Sequence, residues 1–254
     1  LLRPGQTKFI FLENYIELMM TSDFWIALRV TVVFTLVAVF VQVVLGVTIA
    51  NLLHHENSNI SFLRTIYLLP LAITPIAATF TFRLMFNPSL GVLNYFMKLL
   101  GLEPQAWLAS PSTALIALII VDTWQWTPFI LLICLGGLAS LPNEPFEAAK
   151  VDGCNSWQVF KNITLPFLMP FIFIAMTIRS LDVARAYDIV QMMTGGGPAK
   201  RTELLWTLIS RTGYVDAKMG LANAMSYISI FLSIAFTFFF FYKLMEARKI
   251  LSYD

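Results

Sequence analysis

Long runs of apolar residues, separated by shorter polar stretches, make up most of this chain. A helix that crosses roughly 30 Å of hydrocarbon needs about twenty apolar residues. Five runs are long enough, and they cover about residues 24–53, 62–86, 111–138, 167–187 and 220–244. The pattern therefore predicts an all-α, polytopic membrane protein with five visible spans.

Prolines and one acidic residue interrupt the second and third runs. Pro70 and Pro75 lie within the second run, and Asp122 and Pro128 lie within the third. Proline removes a backbone hydrogen bond and kinks a helix, and in a membrane such kinks persist where neighbouring groups cover the freed backbone. Two interpretations stay open for the second run, a packed kink or a flexible wall of a transport path.

Polar segments connect these runs. We expect an external N-terminal segment over residues 1–23, a polar turn over residues 54–61 and a short surface helix over about residues 92–100. The connection over residues 188–219 contains the sequence Thr194–Pro198, in which three glycines precede a proline. Its glycines predict a tight turn with positive φ.

A polar island of about twenty residues lies between the third and fourth runs. Pro142 and Pro145 lie at its start, and proline is tolerated in the first turn of a helix. We expect a short helix over about residues 144–152. Gly153 then supplies a turn that residues with a side chain resist. Ser156 is expected to cap a second short helix, which ends before Pro166 opens the next apolar run. Residues 140–166 therefore predict a helix–turn–helix elbow at the membrane surface.

The spacing of residues in this elbow matches a known pattern. Glu147-Ala148-Ala149 is followed after three residues by Gly153, and after nine more by the sequence Ile-Thr-Leu-Pro over residues 163–166. This resembles the EAA coupling loop of permease subunits of binding-protein-dependent ABC importers. Similar residues in the maltose and glycerol-phosphate type permeases extend the resemblance over nearly the whole chain, and the chain looks most like the first of their two paired permeases. They occur at Phe11–Tyr15, Leu69–Pro70, Phe86–Pro88, Trp124–Pro128, Leu138–Pro142 and Gly195–Pro198.

The resemblance implies a fold and a function. It implies a type I ABC importer transmembrane domain over residues 24–254, with a sixth span expected upstream of the first residue printed here. Such a subunit lies in the inner membrane as a multi-pass protein, with its coupling loop and C-terminus in the cytoplasm. It forms half of the translocation path for a sugar, oligosaccharide or polyol.

The same resemblance implies the partners. These are a second permease subunit, two ABC ATPase subunits and an extracytoplasmic solute-binding protein, with lipid around the spans. ATP and Mg would be bound by the ATPases, so this chain is expected to hold no cofactor, no metal and no catalytic residue. The coupling contacts implied for this chain are Glu147, Ala148, Ala149, Asp152 and Gly153.

Substrate contacts are implied on the fourth run. They align with positions spaced 0, 3, 4 and 7, which share one face of a helix: Arg179, Asp182, Val183 and Ala186. Asp122 and Trp126 of the third run are expected at a comparable depth. An ionisable side chain inside a span is costly unless it is paired or hydrated, which marks it as a functional candidate. Two interpretations remain: contact with substrate, or a self-neutralising Arg–Asp pair that holds two spans together.

Composition excludes several other classes. The chain is 58% hydrophobic and only 13% charged, with a mean hydropathy of +0.74, whereas a typical soluble domain has about 25% charged residues. A net charge of +2 is too small to indicate nucleic acid. Two cysteines, one of them in an apolar run, give no disulfide framework. Lysines and arginines are too evenly spread to orient the chain by the positive-inside rule, so the cytoplasmic elbow rests on the resemblance.

Other functions are weaker fits. The glycine-rich stretch at residues 195–202 lacks the spacing and the preceding strand of a phosphate-binding loop. An ion-coupled secondary transporter of a small polar solute would use Asp122 or Asp182 as ion sites and would leave the elbow without a purpose. An intramembrane enzyme would need a catalytic constellation, but His54 and His55 are adjacent and belong to no metal-binding spacing.

Overall fold

The computed structural model describes residues 10–55 and 61–251, and helices make up most of this part. It contains twelve α-helices: α1 Glu13–Met20, α2 Ser22–His55, α3 Ser61–Ala72, α4 Pro75–Met85, α5 Val92–Leu99, α6 Ala114–Ala139, α7 Glu144–Val151, α8 Ser156–Val159, α9 Leu165–Ala184, α10 Asp188–Met193, α11 Leu205–Ser210 and α12 Met219–Leu251. Two short π-helical segments, Phe160–Thr164 and Arg211–Val215, follow α8 and α11. The predicted all-α fold is confirmed.

Four helical segments in the described residues are long and apolar enough to cross a membrane, and they lie where the sequence predicts the first, third, fourth and fifth spans. They are Ser22–His54, Ala114–Ala139, Ser156–Ala184 and Met219–Ala247. The helix of the fourth span begins before residue 167 and ends at Ala184, three residues before the predicted end at about residue 187.

The second predicted span is divided into α3 and α4. Pro70 lies inside α3, and the break comes after it, at Ile73 and Thr74. Thr74 is extended, with φ −62° and ψ 140°, because the ring of Pro75 disfavours helical geometry in the residue before it. Pro75 then begins α4, where its missing N–H costs nothing. Counted as one broken span, the pair brings the described part to five.

The described residues form two compact units, and each long helix contributes to both. Unit 1 comprises residues 10–38, 74–122 and 182–234, and unit 2 comprises residues 39–55, 61–73, 123–181 and 235–251.

The core of unit 2 is built by α2, α6 and α9, with buried residues such as Ala50, Leu131 and Leu168. Glycines allow these helices to approach closely, as is common where helices pack in membranes. A Cβ added at Gly46 would lie 2.8 Å from the Cβ of Ile130, so no larger residue fits there without displacement.

The core of unit 1 joins the start of α2 to α11 and α12. Phe24, Leu205 and Met225 are buried together there. The hydroxyl of Thr31 accepts a hydrogen bond of 2.8 Å from the backbone N–H of Leu205. This bond satisfies the first turn of α11, where the N–H groups have no partner within the helix.

Several connecting segments contain more structure than the sequence predicts. Helix α1 lies within the segment expected to be a simple polar extension, and α10 and α11 lie within the connection over residues 188–219. The surface helix at residues 92–100 is confirmed as α5, and the glycine turn is confirmed by φ of 60° at Gly195 and 89° at Gly196. Arg3 and Lys8 of the predicted external segment, residues 56–60 of the predicted polar turn and the C-terminal residues 252–254 lie outside the described residues.

Candidate functional site

The elbow turns at Gly153, where the predicted first helix ends. The N–H of Gly153 donates to the carbonyl of Lys150 at 3.2 Å, and the N–H of Cys154 donates to the carbonyl of Ala149 at 2.9 Å. This paired closure is a Schellman motif, which needs a left-handed residue at its centre. Gly153 provides it with φ of +73°. The predicted turn is confirmed.

The second helix of the elbow is capped by Asn155. Its side-chain oxygen accepts a bond of 2.9 Å from the N–H of Gln158, and the side chain of Gln158 accepts a bond of 2.8 Å from the N–H of Asn155. This reciprocal capping box satisfies two N–H groups at the start of the helix. The predicted cap at Ser156 is wrong by one residue, because Asn155 carries the extended backbone that a cap requires and Ser156 is already helical.

The elbow continues without a break into the membrane-spanning helix. The sequence predicts a separate short helix that ends before Pro166, but α8, the π-helical segment Phe160–Thr164 and α9 form one helical run of 29 residues. Because proline has no N–H, it leaves a backbone carbonyl without a partner in the helix, and a local π-helical turn is one way in which a membrane helix adjusts to this loss.

Most of the elbow surface is exposed. Glu147, Ala148, Asp152 and Gly153 are exposed, whereas Ala149 is only 5% exposed and anchors the elbow to unit 2. In the part of the chain that the structure describes, neither acidic side chain forms an ion pair.

Two large apolar side chains project from the same elbow. Val151 is 88% exposed and Trp157 is 68% exposed. The ring of Trp157 packs against that of Phe160, with 5.6 Å between centroids. Both side chains are therefore accessible for contact with another protein.

Arg179 lies inside unit 2 and is among its largest buried side chains, with 2% exposure. Its Nε donates a hydrogen bond of 3.0 Å to Oε1 of Gln42, and its guanidinium carbon lies 4.5 Å from the ring centroid of Trp126. A buried charge is costly unless it has such partners, and attraction between the cation and the indole ring adds to the hydrogen bond. We call Arg179, Gln42 and Trp126 the arginine cluster.

Helix α6 carries further buried polar residues. Asp122 is 5% exposed and Gln125 is 4% exposed. The amide of Gln125 donates a bond of 3.0 Å to the carbonyl of Ile73. That carbonyl lies at the break after α3, so Gln125 satisfies a backbone group that the broken helix leaves free.

The other predicted substrate residues differ in exposure and in helix position, although their spacing predicts one common helix face. Val183 is 1% exposed, whereas Asp182 is exposed and its carboxylate has no hydrogen bond or ion pair among the described residues. Asp182 therefore does not supply the carboxylate of an Arg–Asp pair. Helix α9 ends at Ala184 in a tightened turn, with bonds from Arg185 N to Asp182 O and from Ala186 N to Val183 O. Ala186 lies beyond the helix, so the predicted common face does not reach it.

The sequence interpretation missed two features. Gln42 was not identified, although it is the only amide or charged side chain between residues 30 and 50. The second feature is a group of charges in unit 1, where Arg211 pairs with the buried carboxylate of Glu203 at 2.8 Å and Lys200 pairs with Asp23. These residues are too far apart in sequence for their spacing to reveal the contacts.

The family of the chain follows from a comparison with protein-family models. The model described as "Binding-protein-dependent transport system inner membrane component" matches residues 10–251. The chain belongs to this family. It is a multi-pass permease subunit of a binding-protein-dependent importer in the inner membrane, and the family is one of transporter permeases rather than enzymes.

Relatives within this family carry more specific names. The chain is 35% identical over 232 residues to the trehalose/maltose transport system permease protein MalF of Thermococcus litoralis, covering 91% of this chain and 78% of that one. It is 32% identical over 244 residues to the trehalose transport system permease protein SugA of Mycobacterium tuberculosis, covering 96% and 77%. It is also 40% identical over 228 residues to a probable ABC transporter permease protein, y4oQ, of Sinorhizobium fredii, covering 89% and 74%.

Solved structures of ABC importers share the fold. A chain of a bacterial alginate ABC transporter, in complex with an alginate pentasaccharide-bound periplasmic protein, superposes with a TM-score of 0.83 at 21% identity, covering 91% of this chain and 81% of that one. A chain of the MetNI methionine ABC transporter superposes with a TM-score of 0.63 at 19% identity, covering 90% and 99%. The fold is that of a type I ABC importer transmembrane domain.

Proposed function

We propose that this chain forms half of the translocation path of an ATP-driven carbohydrate importer and that its elbow couples the path to ATP hydrolysis. The observation that carries the coupling role is the exposed elbow itself. Its backbone is closed by the Schellman motif at Gly153 and the capping box at Asn155, so its exposed side chains are presented on a rigid frame.

The elbow surface has the chemistry of a docking site for an ATPase subunit. Trp157 and Val151 offer apolar anchors, and buried aromatic anchors contribute much of the affinity at protein interfaces. Glu147 lies one helical turn before Val151 and has no partner among the residues that the structure describes, so it is available for an ion pair with a basic residue of the ATPase. This arrangement requires the elbow, and with it the C-terminus, to face the cytoplasm.

The proposed importer contains several other components besides this chain. A second permease subunit completes the path, two ATPase subunits bind ATP and Mg, an extracytoplasmic binding protein delivers the solute, and lipid surrounds the spans. This chain itself needs no cofactor. The complex with a periplasmic protein in the alginate transporter structure supports the binding-protein part of the proposal.

The names of the relatives support a carbohydrate as the solute, because they include permeases for trehalose and maltose. The arginine cluster supports it through chemistry. A sugar presents C–H faces that pack on an aromatic ring and hydroxyls that hydrogen-bond to polar groups. Trp126 supplies the ring and Arg179 supplies donors when the path opens around it, whereas the fully buried Gln42 holds the guanidinium in place. We propose Arg179 and Trp126 as solute contacts, together with Asp122, Asp182, Val183 and Ala186.

ATP would drive import by shifting a population between two arrangements of packed helices. Closure of the ATPases on ATP would move the elbows and favour the state that is open to the binding protein. A ligand shifts such an equilibrium only through its different affinity for the two states. The solute path therefore opens outward when ATP binds and inward when the products leave.

A matched pair of variants tests the coupling role. Glu147→Ala removes the proposed partner of the ATPase, whereas Glu144→Ala removes an exposed carboxylate from the same helix, one turn earlier. In proteoliposomes that contain the whole importer, we expect Glu147→Ala to reduce solute import per ATP hydrolysed and Glu144→Ala to leave it near the wild-type value. Equal solute import per ATP hydrolysed by Glu147→Ala and Glu144→Ala would contradict the coupling role of Glu147.

A copurification experiment tests the assembly. The chain extracted in detergent should bring with it a second permease and an ATPase. Recovery of the chain alone, with transport in liposomes driven by an ion gradient, would instead support a secondary transporter.

A further inference from the structure

A groove of about 840 Å³ lies in unit 1, and no residue of the arginine cluster lines it. Helices α10 and α11, the π-helical segment Arg211–Val215 and the start of α12 form its walls. Pockets that hold small ligands have volumes of about 300–1,000 Å³. The side chains that line it include Tyr187, Glu203, Trp206, Ser210, Arg211 and Asn223.

Trp206 contributes a hydrogen-bond donor that the protein does not use. Its indole nitrogen is buried, and it has no acceptor among the described residues. A buried donor without a partner is unfavourable, so most such groups in proteins are satisfied. Trp206 lines the groove, so a turn of its ring towards the groove would bring the N–H to a ligand oxygen, which would supply the missing acceptor.

Glu203 and Arg211 place opposite charges in the same wall. The two side chains are joined by two contacts, from Nη2 to Oε2 at 3.1 Å and from Nη1 to Oε1 at 2.8 Å. The pair is neutral overall, and each carboxylate oxygen keeps lone pairs that can accept further hydrogen bonds. A neutral ligand with several hydroxyls fits this wall better than an ion of either sign.

Hydroxyl and aromatic groups complete the lining. The hydroxyl of Ser210 lies 3.3 Å from that of Tyr187, and Asn223 is exposed on the facing helix. The wall also contains a π-helical turn, which widens the helix and occurs often at functional sites. A Cβ added at Gly213 in this turn would lie only 3.2 Å from the Cβ of Ala222. The turn therefore lies close against α12.

We propose that this groove is a second carbohydrate subsite, which binds a neutral sugar through Trp206, Glu203 and Asn223. The inference rests on the proposed function, because it assigns the site to the same class of solute. It differs from the arginine cluster in its residues and its charge balance. A sugar ring in the groove satisfies the indole N–H of Trp206 and packs its C–H face on an aromatic wall.

Transport kinetics test the subsite in the whole importer. A panel of radiolabelled neutral and acidic sugars, with trehalose and maltose among them, first identifies an imported solute. Trp206→Phe keeps the ring and removes the donor, and Asn223→Ala removes the facing amide. Loss of one hydrogen bond should raise KM for uptake about three- to tenfold with little change in kcat. Tyr227→Phe, which removes a hydroxyl from an exposed residue of α12 outside the groove, should leave KM unchanged.

The outcomes separate the two proposals. If no carbohydrate is imported, the proposed function is wrong and the subsite is wrong with it. If carbohydrate is imported and both groove variants keep the wild-type KM, the subsite is wrong and the proposed function stands.

Chemical labelling provides a measurement that does not depend on transport. In an importer whose permease carries Cys134→Ala and Cys154→Ser, Asn223→Cys should react with a water-soluble maleimide. The imported sugar should slow this reaction at least threefold, and it should leave labelling of Tyr227→Cys unchanged. Equal labelling of Asn223→Cys with and without sugar would overturn the subsite. Complete protection without sugar would also overturn it, because another subunit would then cover the groove.

Discussion

The Nε of Arg179 donates a hydrogen bond of 3.0 Å to Oε1 of Gln42, which lies 137 positions earlier in the chain. The bond joins α9 to α2 inside unit 2, where Gln42 is fully buried. A charged group in such a place depends on each of its polar partners. The contact therefore gives a way to separate a structural role of Arg179 from contact with substrate.

We expect Gln42→Leu to lower the free energy of unfolding by about 1–3 kcal/mol, because it removes a buried acceptor from a charged donor. The double variant Gln42→Leu with Arg179→Met should lose less than the sum of the two single losses, since it leaves neither partner without the other. Thermal unfolding in detergent measures these differences. Arg185→Met, at an exposed position, is the control and should change Tm little.

Import by the same variants separates the two roles. If Arg179 contacts substrate, the double variant loses less stability than the sum of the two single losses, but its KM for uptake stays high. If import recovers together with stability, Arg179 acts only in packing.

Gly153→Ala should weaken the elbow through backbone strain alone. No atom lies within 4 Å of the position a Cβ would take, but φ is +73°, and a left-handed conformation costs a residue with a side chain about 1–2 kcal/mol. Gly136 gives a matched control, because it also has free space but is helical. Gly136→Ala should stabilise the protein by about 0.5–1 kcal/mol. Thermal unfolding in detergent should give a lower Tm for Gly153→Ala and a higher Tm for Gly136→Ala than for the wild type. A higher Tm for both variants would contradict the role of the turn.

Gln125→Leu should destabilise the protein at the break between α3 and α4. It leaves the carbonyl of Ile73 without the donor that lies 3.0 Å away, and an unsatisfied buried acceptor costs about 1–3 kcal/mol. Hydrogen exchange in detergent should show faster exchange in α3 of the variant than in α3 of the wild type. Unchanged exchange and unchanged Tm would show that water replaces the amide without loss.

Glu203 should make stability depend on pH. Burial raises the pKa of its carboxyl above the ordinary glutamate value, although Arg211 lowers it in part. The folded protein therefore binds this proton more tightly than the unfolded chain does, and protonation favours folding. The stabilising effect is complete below the unfolded pKa of about 4.3 and is lost as pH rises through the higher pKa of the folded state.

The comparison with Glu203→Gln isolates this titration, because glutamine does not ionise and Arg211 stays charged throughout. As pH rises from about 4 towards neutrality, Tm of the wild type should fall relative to Tm of the variant and then run parallel to it. A constant difference over the whole range would contradict the raised pKa.

The long helices could be predicted because each one depends on a local property. A run of apolar residues long enough to cross hydrocarbon defines α2, α6 and α12 without any knowledge of what they contact. The turn at Gly153 was equally local, since positive φ follows from the residue type. The cap at Ser156 was wrong because serine and asparagine are both good caps, and the choice between neighbours depended on Gln158.

The polar contacts could not be predicted, because they join distant positions. Gln42 lies in a stretch, residues 30–50, whose other residues are apolar or hydroxylated, and only folding places it next to Arg179. The same holds for Gln125 and the carbonyl of Ile73. The end of α9 also depended on tertiary structure, since neither a glycine nor a proline lies between Ala184 and Gly195 to mark the stop.

The helical run from Ser156 to Ala184 places the elbow and the buried arginine on a single piece of secondary structure. Trp157 stands near its beginning and Arg179 near its end, about 33 Å apart at 1.5 Å per residue. A displacement of Trp157 would reach Arg179 only as far as this helix moves as one body. The π-helical turn at Phe160–Thr164 and Pro170 both lie between the two residues, and helices bend at such points, so bending there would reduce the displacement that reaches Arg179.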